Sequence, residues 1–551
     1  MTNTSSDFLE IITCIFAVVK HITGNEWRDR HEENTNVLRV LYYLFCLVIS
    51  LLIYIIVIVF AIVLVIPRKL LEFYLRKKYG KQFCGLLENM DMLWMAETKE
   101  AKHIITVVFF IQLRNTPTEF IDCLKKRIKR SQDIRFNSIL RSNFGFGYRI
   151  YSDSIVDNVV QLLSFTQNEQ IHRSDFEDKI SKLANKSLPQ FSAFEVLVSD
   201  KPVVFYDNND SGTNNYAVIA RIHHSVGNGS SLLQFLTNVA DNIPTPNNSK
   251  CISTKSCDTL KSTPNNSKCI STKSCDTLKS TSKLLDFKNS LGDIANYAMH
   301  RMKDVYISYF SIVALHDNNL LHGPPLIGEK IVAFHCEKES EYLSKIKLIK
   351  SQVDKCTFSV VMFTAISASI CKHFSKYSEN VSRHMNISYI TVPKGTFSVA
   401  TLKIPIHIDG TISANEDLLR RMKIVAASYA RTQSSVEPLV FHWLSRFCSL
   451  LPLQITKGLI KANMKSTLSV SNLPGPEPIS IDGQPVRDML FWTPNVGTTG
   501  VGFSILTYGG RLQISLVADK ALLPKREFAA DIVQNVFKYI DLLENELKSK
   551  K

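Results

Sequence analysis

Between Tyr216 and Leu236 the chain reads YAVIARIHHSVGNGSSLLQFL. An apolar run leads into two adjacent histidines, His223 and His224, followed by a loop of small residues with Gly227, Asn228 and Gly229, and then by a segment expected to begin a helix near Ser230 and Ser231. Neighbouring side chains at a strand end point to opposite faces, so one histidine can face a cleft while the other supports the fold. The glycines let the chain turn sharply behind them. Neutral imidazole titrates near ambient pH and can take the proton of a hydroxyl as its oxygen attacks. If the group being transferred arrives as a thioester, it is already activated and no covalent enzyme intermediate is needed. Taken alone, such a pair more often serves the fold or a metal than catalysis.

A second set of polar groups lies far along the chain. Ser471 and Asn472 close an expected strand just before the turn Pro474-Gly475-Pro476. A hydroxyl and an amide there can reach into a cleft to position substrate or stabilise an oxyanion. The competing reading is turn punctuation, with the asparagine bonding its own backbone. Gly227 to Ser231 matches neither the Gly-Lys-Ser/Thr phosphate loop nor the Gly-x-Ser-x-Gly elbow. Twelve cysteines are scattered along the chain. Cys251, Cys257, Cys269 and Cys275 are spaced too widely for paired Cys-x-x-Cys zinc ligands, which favours free thiols in a reducing compartment.

The elements that must position these residues follow from periodicity. β-type runs are predicted at Ile104–Leu113, Ala193–Val198 and Tyr216–Ile222, with helices at Pro117–Lys129 and Ser154–Thr166. A first globular domain is expected over 84–244. Residues 245–280 hold TPNNSKCISTKSCDTLKS twice without a difference. That unit has no apolar face to offset its ordering entropy, so 245–282 reads as a disordered linker. Asn247 and Asn265 open glycosylation tripeptides that a cytosolic placement would leave unused.

A second domain is expected over 283–551. It would hold a helical run to Tyr309, a strand at Lys330–His335 and helices at Glu341–Val353 and Phe358–Phe374. Strands follow at Ser469–Asn472, Val501–Tyr508 and Arg511–Val517, the last two joined through Gly509-Gly510, with a closing helix at Lys525–Leu547. The helix from Phe358 is apolar nearly all round but short and rich in small residues, which predicts a core helix rather than a span.

Residues 40–66 form an apolar stretch long enough to cross a bilayer, preceded by the segment 1–39. Within that segment, Phe8–Val19 reads as an interfacial helix. Arg68, Lys69, Arg76, Lys77, Lys78 and Lys81 follow the stretch, while the preceding segment mixes both signs, so the large C-terminal part is expected in the cytosol. The formal net charge is +15. No nucleic-acid-binding motif accompanies it, which leaves a membrane surface or a phosphorylated small molecule as the partner.

His223-His224-Ser225-Val226-Gly227-Asn228-Gly229 resembles the His-His-x-x-x-Asp-Gly motif of the wax ester synthase/diacylglycerol acyltransferase family, a branch of the CoA-dependent acyltransferases. Met90-Asp91-Met92-Leu93-Trp94 is similar to that family's opening Asp-x-x-Trp segment, and Leu188-Pro189-Gln190-Phe191 to its Pro-Leu-Trp motif. Ser471 to Pro476, Gly502 to Leu512, and Asp519 followed by Pro524 resemble its C-terminal domain. The resemblance covers roughly residues 84 to 548. It implies an α/β fold of two chloramphenicol acetyltransferase-like sandwich domains with a cleft between them, behind an N-terminal transmembrane helix.

It also implies that His224 is the general base, with His223 supporting it and Asn228 at the motif's Asp position. Ser471, Asn472 and Gly229 would contact substrate. Acyl-CoA would be the co-substrate, no cofactor or metal would be bound, and a long-chain alcohol or diacylglycerol would be the acceptor. The endoplasmic reticulum is the expected membrane, with the plasma membrane as the alternative. Two positions depart from the family: Asn228, and Ser359-Val360 where an Asn-Asp pair is usual. They motivate the alternative of a catalytically impaired lipid- or acyl-CoA-binding membrane protein on the same fold.

Overall fold

The computed structural model describes residues 35–131, 133–152, 154–165, 169–189, 192–204, 214–227, 236, 239–241, 317–354, 356–377, 382–391, 398–408, 417–462 and 466–550. The interfacial helix, the duplicated linker, the helical run after Lys283, Asn228 and Gly229 lie outside these residues. The chain divides into two units. The first holds residues 1–53 and 245–307, of which only the start of one helix is described; the second holds 54–244 and 308–551.

In chain order the first half contains α1 (Thr35–Tyr79), β1 (Phe83–Leu86), α2 (Asn89–Trp94), β2 (Ile104–Gln112), α3 (Pro117–Arg130), β3 (Ser138–Asn143) and β4 (Phe146–Tyr151). It continues with α4 (Ile155–Val159), β5 (Val160–Leu163), β6 (Ile171–His172), α5 (Arg173–Ala184), β7 (Phe194–Ser199), β8 (Val203–Val204) and β9 (Asn215–His223). The second half adds β10 (Lys330–Cys336), α6 (Tyr342–Gln352), α7 (Phe358–Tyr377), β11 (His384–Thr391), β12 (Ser398–Pro405), α8 (Leu418–Ser434), α9 (Glu437–Cys448) and α10 (Leu453–Ala462). It closes with β13 (Leu468–Pro474), β14 (Ser480–Ile481), β15 (Gln484–Trp492), β16 (Val501–Tyr508), β17 (Arg511–Asp519) and α11 (Arg526–Ser549).

Two six-stranded sheets organise these elements, in the orders β14-β15-β2-β9-β7-β5 and β10-β17-β16-β13-β11-β12. The first sheet is buried on both faces. Along β2, Ile105, Phe109 and Ile111 enter one core with α3, while Val108 and Phe110 enter another with α5 and β10. This period of two matches a pleated strand and explains a run with almost no polar residue. The second sheet packs on α7 and α11 around Phe363, Phe503, Leu516 and Ile540.

Four sequence expectations change. Where a helix over 154–166 is expected, residues 155–159 form one helical turn followed by β5, because Val160 to Leu163 pair in parallel with Val196 to Ser199. Residues 484–492, assigned by chain order to the second domain, pair with β2 inside the first sheet. The globular body does not wait for Cys84: Leu71 and Leu75 of α1 are already in its core, and Arg68 donates to the carbonyls of Ser449 and Leu87 at 2.9 and 2.6 Å. The apolar stretch also belongs to a longer helix, α1, which runs through Pro67 without a break.

Among the described residues, α7 is the helix that meets the length and hydropathy of a span, and 72% of its apolar window is buried, so it is a core helix. By contrast, within the apolar stretch of α1 the side chains of Ile55, Val59, Ile62 and Ile66 are exposed.

Candidate active site

β9 ends at His223, and the chain turns at once into a short 3-10 segment, His224–Val226. The backbone N–H of His224 donates to the carbonyl of His103, just ahead of β2, at 2.8 Å. The first histidine is therefore the last residue of the β9–β2 ladder, while the second sits on the turn. α2 packs against this turn.

The side chain of His223 is held from both ends. Its Nδ1 accepts from the Ser225 backbone N–H at 3.2 Å and lies 2.7 Å from Ser225 Oγ. An accepting Nδ1 leaves the ring proton on Nε2, which faces Glu97 Oε1 at 3.3 Å. Glu97 also accepts from the His103 N–H at 2.9 Å and from Lys102 at 3.3 Å. Burial opposes its charge, but the bonds and charges of His223, Lys102 and His103 win and bring the carboxyl down to about 2. His223 is thus an oriented, carboxylate-backed ring.

His224 lies in different surroundings. Its imidazole stacks on Trp94 with ring centroids 3.8 Å apart and planes 15° apart. Trp94 in turn meets His103 edge-on at 5.3 Å, and His103 Nδ1 donates to the Trp94 carbonyl at 2.7 Å. Burial pulls His224 down to about 3 and His103 to about 4, with the neighbouring histidines adding to the shift. Both rings are therefore neutral at pH 7. His224 Nδ1 is buried without a hydrogen-bond partner among the described residues.

The turn is clamped from outside by Arg149 of β4. It donates to the Ser225 carbonyl and pairs with Asp91 of α2 at 3.2 Å. Burial pushes the Asp91 carboxyl above its ordinary value, against the pull of Arg149. The Asp-x-x-Trp segment thus meets the site through both Asp91, at the clamp, and Trp94, on the ring of His224.

In the second sheet, β13 runs parallel to β16 with Ser471 opposite Ser504 and Asn472 opposite Ile505. Ser471 is buried, and Asn472 Nδ2 reaches Ser359 Oγ at the start of α7, at 3.5 Å. The turn beyond requires glycine, because a Cβ at Gly475 would collide with the Thr507 carbonyl. Ser471 and Asn472 therefore gather with α7 in the second sheet, whereas His223 and His224 gather with α2 in the first. Asp519 proves structural: it accepts from the backbone of Ile327, Gly328 and Ala521 and pairs with buried Lys330 at 2.9 Å.

Sequence reasoning missed Glu97, His103 and Arg149. None stands in a recognisable motif, and only the fold brings them to the turn. Among the described residues no group of three His, Cys, Asp or Glu side chains is arranged to hold a metal ion.

Residues 396–541 match the WS/DGAT C-terminal domain. No curated protein matches the sequence significantly. Among solved structures the chain is similar to the wax ester synthase/diacylglycerol acyltransferase from Marinobacter aquaeolei VT8. The TM-score is 0.54 and the identity 12%, over 84% of this chain and 100% of that one. It is also similar to TRI3, the trichothecene 15-O-acetyltransferase from Fusarium sporotrichioides, with a TM-score of 0.54 and 10% identity over 83% of this chain and 94% of that one. Residues 396–541 thus match the C-terminal domain of the WS/DGAT family, and the chain as a whole shares the fold of these two acyltransferase structures.

Proposed function

We propose that the protein is a membrane-anchored, acyl-CoA-dependent O-acyltransferase that esterifies a long-chain alcohol or diacylglycerol, with His224 as its general base. The observation that carries this reading is the pairing of one oriented, carboxylate-backed histidine with a neutral one whose Nδ1 has no partner among the described residues. An unprotonated imidazole can accept a proton throughout the physiological range. Its low basicity suffices, because the alcohol proton becomes strongly acidic as the new C–O bond forms.

The acceptor oxygen attacks the thioester carbonyl while His224 takes its proton. The tetrahedral intermediate then collapses, the C–S bond breaks, and the proton passes to the departing CoA thiolate. His223 fixes the turn, Ser471 and Asn472 orient substrate or stabilise the oxyanion, and Asn228 and Gly229 complete the loop by resemblance. The positive net charge favours CoA phosphates. The exposed apolar side chains of α1, followed by basic residues, support an anchor with the catalytic body on the cytosolic side.

A second reading, acyl-CoA binding without turnover, is favoured by the depressed basicity of His224 and by Ser359 at a position where the family has an amide. Radiolabelled oleoyl-CoA offered with diacylglycerol or hexadecanol, on membranes from cells without their own neutral-lipid acyltransferases, separates the two. Ester formed by the wild type and absent with His224→Ala supports catalysis. Saturable oleoyl-CoA binding without ester from either acceptor would establish the second reading.

A further inference from the structure

α1 is joined to the catalytic body without a flexible link, and the join lies at the end of its apolar stretch. Arg68, two residues past Ile66, is buried and donates to the Ser449 carbonyl between α9 and α10, and to the Leu87 carbonyl just ahead of α2. Leu71 and Leu75 continue the same face of the helix into the core. The α9–α10 hairpin is therefore fixed beside the point where α1 would leave a bilayer.

That hairpin presents apolar side chains to the outside at helical spacing. Leu439 and Trp443, four residues apart on α9, are both more than half exposed, and Ile455 and Leu459 repeat the spacing on α10. The β3–β4 turn lies against the start of α10, where the Leu453 N–H donates to the Gly145 carbonyl at 2.8 Å. At its tip Phe144 has φ +47 and is 80% exposed. A bulky residue in the left-handed region with its ring outward is a costly arrangement, and the next position must be glycine because a Cβ there would collide with Pro452. Arg446 lies over the Trp443 ring at 5.5 Å, and the exposed Lys461 and Arg141 lie two residues beyond Leu459 and three before Phe144 in sequence. Aromatic and aliphatic side chains edged by Arg and Lys match the interface of a bilayer with anionic headgroups.

We propose that α9, α10 and the Phe144 turn form a second membrane-contact surface, resting in the headgroup region of the bilayer that α1 crosses. This rests on the reading of α1 as a span. The consequence is a short route for a lipid acceptor. α9 packs on α2, and α2 carries the Trp94 that stacks on His224. An acceptor dissolved in the membrane would reach the base along α2 without passing through water.

The test uses the full chain reconstituted in phosphatidylcholine–phosphatidylserine vesicles, with phosphatidylcholine brominated either near the headgroup or near the chain ends. Bromine quenches tryptophan within contact range, and the chain has four tryptophans, so wild type is compared with Trp443→Phe. We expect headgroup-side bromine to quench a fraction of the wild-type emission that disappears in Trp443→Phe, with less quenching from the deeper label. Equal quenching in both proteins would overturn the surface, since Trp443 would then lie in water. Carbonate extraction of the same vesicles reports on α1 separately. A chain that resists extraction while Trp443 stays unquenched refutes this surface and leaves the anchor standing. A chain that is stripped, though Trp443 was quenched beforehand, refutes the anchor and leaves the surface standing.

Discussion

The end of β9 and the end of β13 both carry polar side chains at the rim of a six-stranded sheet, yet they are built differently. At β9 every ring is placed by several contacts: His223 between Ser225 and Glu97, His103 on the Trp94 carbonyl, Trp94 flat on His224, and Arg149 across the turn. At β13 the described polar contact of Asn472 is one long bond to Ser359. A base must meet a proton within a few tenths of an ångström, so its surroundings are rigid. Groups that receive substrates of variable shape gain less from being fixed beforehand. The contrast teaches that preorganisation here is concentrated at the end of β9, where the proposed base lies.

His224→Ala is the sharpest way to break that contrast. Ester formation should fall by roughly a hundredfold to ten-thousandfold, the usual contribution of a positioned base, with only a modest fall in melting temperature from the lost stack on Trp94. Equal rates for the variant and wild type would transfer the chemistry to another residue. Arg149→Met removes the clamp while sparing every ring. The expected loss in kcat is about tenfold to a hundredfold, from misplacement of the turn, and substrate KM should move little. A rise in KM alone would show that Arg149 serves binding instead.

Acid sensitivity sharpens the comparison next. Glu97 is depressed to about 2 from an ordinary 4.5, so it contributes stability above pH 4.5 that is lost as pH falls towards 2. His224, lowered from 6.5 to about 3 by burial, adds the same trend, because the unfolded chain takes up its proton first as pH falls below 6.5. Denaturant midpoints of Glu97→Gln and wild type should differ at pH 7 and converge near pH 2, and a constant gap would remove Glu97 as the cause. In the kcat/KM profile the acid limb should lie well below 6.5, whereas a limb near 6.5 would mean an unshifted base. Asn472→Ala is the smallest expected effect. A single long neutral hydrogen bond contributes on the order of 1 kcal/mol, so activity should drop about fivefold, and a loss matching that of His224→Ala would erase the contrast.

The histidine pair, the turn glycines, the Ser-Asn strand end and the order of motifs were legible because each is local: strand period, turn chemistry and residue type are written in consecutive positions. The β16–β17 hairpin was legible for the same reason, with Tyr508 and Arg511 paired across two glycines. The short strand Val160–Leu163 was read as helix because its parallel partner lies more than thirty residues away. Glu97 and Arg149 carried no local signal at all.

The sequence by itself carried the resemblance to the wax ester synthase/diacylglycerol acyltransferase family, the mixed α/β content and one long apolar stretch ahead of the globular part. Tertiary structure decided what local pattern cannot encode. It took β15 into the other half's sheet, buried α7 while leaving the described apolar face of α1 exposed, and gave two adjacent histidines different surroundings, a carboxylate for one and an aromatic stack for the other. The physical reason is that periodicity records which side chains avoid water. Which surface covers them, and which carboxylate or ring stands beside a given imidazole, depends on contacts between residues far apart in the chain.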